Sequence, residues 1–97
     1  MDSTAVSDEV AILSRVFRPE RADLSATVAR ALLAIDFEPA DRERMRELSR
    51  KAQAGTLTER EQAEIDGYER VGHLLDLLHS KARRSLKRAV RDRIKVR

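Results

Sequence analysis

From Thr58 onward no residue forces a helix to end, and this uninterrupted stretch of nearly 40 residues constrains the fold more than any other feature. Both prolines, Pro19 and Pro39, lie upstream of it. Its start is marked. Thr58 followed three residues later by Glu61 is a capping box, with Leu57 placed as a hydrophobic staple. Gly67 and Gly72 each cost about 1 kcal/mol relative to alanine and mark close packing or a bend, but they do not end the run. A helix over 59–90 would be roughly 48 Å long at 1.5 Å per residue. Ile65, Tyr68, Val71, Leu74, Leu75, Leu77 and Leu78 make its middle the most apolar segment of the chain. That segment should be the spine on which the rest packs.

Three shorter helices precede it. Val6, Val10, Leu13 and Phe17 form a stripe over residues 5–17, stopped at Arg18-Pro19 because the residue before proline is pushed out of the α region. A second helix runs from Ala26 to Ile35, with Ser25 as N-cap and Leu24, Val28, Leu32 and Ile35 on one face. Phe37 is expected to plug the break that follows. The third starts at Pro39, whose missing N–H costs nothing at a first helical position, and closes at Gly55 as a C′ glycine. Met45, Leu48 and Ala52 are its apolar strip. Aromatics make up 3% of the 97 residues and charged residues 38%, so the core must be aliphatic, a palette that suits helix packing.

The expected fold is therefore one all-α domain, a small helical bundle of about four helices with a long basic C-terminal helix. Tyr68, Val71, Leu74, Leu75 and Leu78 should pack on Leu13, Leu32, Ile35 and Leu48. The three short helices, roughly 15–22 Å each, can cover only half of the long one. Residues 1–83 are accordingly read as the helical bundle, and residues 84–97 as a basic extension or tail outside it.

Charge separates along the same line. Residues 1–80 hold 11 Lys/Arg against 16 Asp/Glu, a net −5, whereas residues 81–97 hold nine against the single Asp92, a net +8. The two parts must face different environments or different partners. The chain has no cysteine, which excludes disulfides, zinc fingers and thiol chemistry and fits a cytoplasmic location. Its polar, acidic first residues do not resemble a signal peptide. No apolar run approaches the roughly 20 residues of a membrane span.

Catalytic constellations are missing as well. There is no Gly-rich phosphate loop, no nucleophile elbow, and no serine with a base–orienter pair. His73, with Glu69 and Asp76 near it on a helix, and the Asp76-x-x-His79 pair give one approximate copy of a di-iron bundle motif that needs two. Polar positions bordering a leucine spine explain them better, so neither metal nor cofactor is expected. The mixed-sign run Asp41 to Lys51 reads as a solvated helix surface rather than an interaction face.

Asp41-Arg42, Met45, Leu48, Gly55-Thr56-Leu57-Thr58, Glu61, Tyr68, Val71-Gly72, Leu74-Leu75 and Ser80-Lys81-Ala82-Arg83 together resemble a family of short bacterial helical proteins. Members of that family are often encoded immediately beside an HNH-endonuclease-like gene. The resemblance covers roughly residues 24–86 and implies no catalytic residues. It implies an antitoxin-like or accessory partner of a nuclease, the HNH motif itself being absent here. The basic end from Lys87 to Arg97 departs from the family pattern.

Lys81, Arg83, Arg84, Lys87, Arg88, Arg91, Arg93, Lys95 and Arg97 are the candidate binding residues, around a thin stripe of Leu86, Val90 and Ile94. Three readings stay open: docking on an acidic protein surface, sequence-independent binding of nucleic-acid phosphates, or a frayed solubilising tail helped by cations near a helix C-terminus. No aromatics interleave the bases, which argues against stacking on single strands, and the apolar face is too poor for a membrane surface. A protein partner heads the list, with nucleic acid and a second copy of the chain behind it.

Overall fold

The computed structural model describes residues 8–95. Regular structure among them is all helical: α1 (Asp8–Phe17), α2 (Ala26–Leu33), α3 (Pro39–Ala54) and α4 (Glu59–Lys95). α4 runs for 37 residues without a break at either glycine, about 55 Å of rod. It sets the long dimension of a molecule measuring 60 × 28 × 17 Å. No described helix is long and apolar enough to cross a membrane.

The helix ends follow from local chemistry. α1 occupies the part of the expected 5–17 helix that lies among the described residues, and it closes on Arg18, whose φ of 54° is left-handed. Ser25 caps α2 by accepting from the Val28 N–H at 3.2 Å. α2 ends at Leu33 rather than Ile35 because the Ala34 and Ile35 amides turn back to Ala31 and Leu32, tightening the last turn. Pro39 opens α3, and Gly55 at φ 71° closes it. The Gly55 amide donates to Ala52 and the Thr56 amide to Lys51, a Schellman closure. The capping box is reciprocal: Glu61 N–H to Thr58 Oγ1 and Thr58 N–H to Glu61 Oε1, each 3.0 Å.

The all-α fold of four helices with a long last one is as expected, and its core is more open than expected. α1, α2 and α3 each lie on α4, α2 most extensively, and no two of them pack on each other. Helices ranged along a rod have one covered side each and cannot enclose a shared core. Among the described residues only Val10, Ala29, Leu48 and Ala82 are buried apolar side chains. The expected spine is correspondingly open: Val71, Leu13 and Ile35 are exposed, while Tyr68, Leu74, Leu75 and Leu78 are half-buried. The radius of gyration is 17.2 Å, against about 13 Å for a compact chain of this length.

Polar bonds do much of the joining between α3 and α4. Arg44 forms a two-pronged pair with Glu64, both bonds 2.8 Å, and Lys51 meets Glu61 at 3.0 Å. The Tyr68 hydroxyl donates to Asp41 at 2.7 Å, and its ring stands edge-on to Phe37, centroids 5.9 Å apart. Phe37 thus plugs the α2–α3 break as expected, although it is only half-buried.

Thr58→Ala should lower stability by about 1 kcal/mol in urea unfolding, because it removes an acceptor from the first turn of α4. Leu48, among the described residues the one large apolar side chain closed off almost completely at 1% exposure, should cost about 2–5 kcal/mol when cut to alanine. A loss below roughly half a kilocalorie at Leu48 would contradict its place in the core.

Candidate interaction surface

Residues 18–25 join α1 to α2 without regular structure, so their backbone groups need partners from elsewhere. α4 provides them. Lys81, Arg84, Ser85 and Arg88 recur at i, i+3, i+4 and i+7 and so share one face of the helix. Every one of them bonds main-chain atoms between Phe17 and Leu24. Lys81 Nζ donates to the carbonyls of Phe17 and Arg18 at 3.0 and 3.1 Å and pairs with Asp23 at 2.6 Å. Arg84 Nη1 donates to Pro19 O at 2.9 Å and Arg88 Nη1 to Ala22 O at 2.8 Å. Ser85 Oγ accepts from the Leu24 amide at 3.1 Å.

Lys81 is only 4% exposed, and its ammonium also lies 5.2 Å from the Phe17 ring centroid. Its three N–H donors meet three acceptors, which makes burial of the charge tolerable. The two carbonyls end α1, so the cation also sits at the negative end of that helix. The hydrogen bond from Lys81 holds the Asp23 carboxyl below its ordinary value.

This arrangement corrects the sequence reading in two places. Lys81 is buried in fold contacts and out of reach of any partner, and Arg84 and Arg88, although exposed, each spend one hydrogen bond on the loop, Arg88 also meeting Asp92 at 3.5 Å. The packed body also continues through Arg88, past the boundary expected at residue 83. The missed signal was the i, i+3, i+4, i+7 set of polar residues, including a serine, opposite a loop rich in unpaired carbonyls.

Arg83, Lys87, Arg91 and Arg93 are exposed and, among the described residues, have no hydrogen-bond or ion-pair partner. Arg83, Lys87 and Arg91 follow one another at i,i+4 along the rod. Beside them Val90 is 53% and Ile94 67% exposed, and Leu86, Lys87, Val90 and Arg91 line one shallow depression. Lys95 ends α4, and Arg97 lies outside the described residues. The surface that remains is a short apolar strip edged by free cations.

A second apolar feature lies at the other end of the rod. Met45, Leu48 and Ala52 of α3 face Ile65 and Tyr68 of α4 across an open groove, with exposed Glu69 at its edge. Neither histidine lines the groove or the depression. His79 Nε2 donates to the Ile35 carbonyl at 2.7 Å, since a carbonyl can only accept. His73 is exposed, and no group of three His, Asp or Glu converges among the described residues.

Comparison of the chain with protein-family models, curated proteins and solved structures gives no match.

A chain ended after Arg83 loses Arg84, Ser85 and Arg88 and should melt well below the full-length protein. One ended after Ala89 keeps all three and should melt well above the shorter chain. Lys81→Met should cost about 1–3 kcal/mol by leaving the α1 carbonyls without their donor.

Acid should loosen the same joints. Asp23 is held low by Lys81, Glu61 by the Thr58 amide and Lys51, and Glu64 by Arg44. Lowered folded values mean that the stabilisation is complete above the ordinary 3.8 and 4.5 and is lost as pH falls through the folded values. Melting temperature should therefore drop as pH is lowered below about 4.5, the ordinary glutamate value.

Proposed function

We propose that this chain is a non-enzymatic protein-interaction module, antitoxin-like or accessory to an HNH-type nuclease. The observation that carries the reading is the combination of exposed Val90 and Ile94 with unpaired Arg83, Lys87 and Arg91 on the part of α4 the body leaves uncovered. An apolar strip edged by cations fits a protein surface with an apolar floor and an acidic rim. The nuclease as partner comes from the family resemblance of residues 24–86. Two polar groups that a catalytic reading would need are already engaged: Ser85 Oγ with the Leu24 amide and His79 Nε2 with Ile35.

A second reading is sequence-independent binding of nucleic acid. Its support is the row Arg83, Lys87, Arg91, with cations about 6 Å apart along the rod, and Arg93 nearby. Phosphate binding would leave Val90 and Ile94 without a role, which is why it stands second.

Co-expression with the protein encoded beside the gene, which the resemblance implies is HNH-type, separates the two. Full-length protein should co-purify with it, and Lys87→Glu/Arg91→Glu should reduce recovery at least several-fold while leaving the helical circular dichroism signal unchanged. Under the second reading the same variant abolishes binding to duplexes of arbitrary sequence, and wild-type affinity falls steeply with salt. Failure of the double variant to alter either association would remove this surface from the function.

A further inference from the structure

The basic, apolar end of α4 suits a partner with an apolar groove and an acidic edge, and the chain carries such a groove itself. We infer that a second copy of the chain covers this surface, the two α4 helices running antiparallel about a two-fold axis near Ser80. The inference rests on the reading of the chain as an interaction module: the second copy covers the strip in the free chain, and a nuclease docking there would have to displace it.

The molecule has surface to lose. Its accessible area is 7181 Å², against about 5,700 Å² for a compact monomer of its mass. The surplus exceeds the roughly 800 Å² that each partner contributes to a standard interface.

The pattern along α4 is self-complementary. Steps of three and four residues join Asp66, Glu69, His73 and Asp76 to Ser80, and the same steps continue through Arg83, Lys87, Val90 and Ile94. All of these are exposed except Ser80, which is partly so. Carboxylates fall before Ser80 and cations after it. On this face Asp66, Glu69 and Asp76 lie before Ser80, and the unpaired cations Arg83 and Lys87 lie after it, with Arg91 beside them. A parallel pair would set like charge on like, whereas an antiparallel pair sets each sign on its opposite.

One register brings the main opposite charges of this face together. Glu69 and Arg91 each lie 11 residues from Ser80, so a two-fold axis there brings one onto the other. Asp76 and Arg83 lie four and three residues to either side, and Ile65 and Ile94 lie 15 and 14. Val90 and Ile94 of one copy then lie over the groove of Met45, Ala52 and Ile65 in the other, with Arg91 against Glu69 at its edge. The contact occurs twice, as an isologous interface requires. A small side chain at the axis lets the helices approach. Apolar burial supplies the affinity, and the ion pairs, individually weak at a surface, set direction and register.

Sedimentation of the purified full-length chain tests this. It should behave as a dimer at micromolar concentration. Glu69→Arg and Arg91→Glu should each weaken dimerisation about tenfold or more, because each places like charges together twice in its own dimer. Mixed in equal amounts, the two variants should recover a dimer of near wild-type affinity, since the mixed pair restores opposite charges at both contacts. Circular dichroism melts confirm that each variant remains folded. A wild-type chain that stays monomeric at several hundred micromolar, or a mixture that fails to recover, overturns the inference. Monomeric protein that still co-purifies with a different partner would sink the self-association alone and leave the interaction module standing.

Discussion

The Lys81 ammonium is the contact on which the N-terminal half depends. α1 and α2 do not pack on each other, and the segment between them has no internal ladder. Its position is set from outside, by a cation that reaches across from α4 and bonds the last carbonyls of α1. A charge so little exposed is stable only with every donor engaged, and Phe17, Arg18 and Asp23 provide the three acceptors. Arg84, Ser85 and Arg88 extend the grip along the same face. Arg18 holds a left-handed backbone that a non-glycine residue adopts at some cost, and the adjoining bonds from Lys81 offset it.

At the opposite end of α4 the joints are made between side chains. Arg44 with Glu64 and Lys51 with Glu61 tie α3 to the rod across a boundary where the apolar fit is shallow. Asp41, Arg44 and Lys51 of the Asp41–Lys51 run are therefore committed to fold contacts, while Arg42, Glu43, Arg46, Glu47 and Arg50 form the solvated face that the sequence suggests. The groove beside these pairs stays open because long polar side chains bridge the two helices without filling the space between them.

Helix ends were legible because each has a local cause. Ser25, Pro39, Gly55 and the Thr58–Glu61 box mark their helices through bonds within a few residues, and the structure places them there. What lies opposite a helix face was not legible. Periodicity groups Lys81, Arg84, Ser85 and Arg88 on one side of α4, but their partners are backbone carbonyls, which every residue carries and no sequence pattern reveals. Val71 and Ile35 failed as core positions for a related reason. Both sit on apolar stripes, yet three short helices that touch only the rod leave part of each stripe in water. The candidate surface was legible as a basic end, and the division of its cations between fold and solvent was not.

Because α4 grips the 17–24 segment chiefly by its main chain, the side chains there are relieved of most of the work of holding it. Apart from Phe17 and Asp23, which Lys81 also touches, this stretch can drift in composition without loosening the attachment. Selection on the path of this segment would then act mainly on four positions more than 60 residues away. A loop that is variable in appearance and fixed in path is a natural place to accept a tag or a short insertion at its solvent side, around Glu20 and Arg21, with the rod undisturbed.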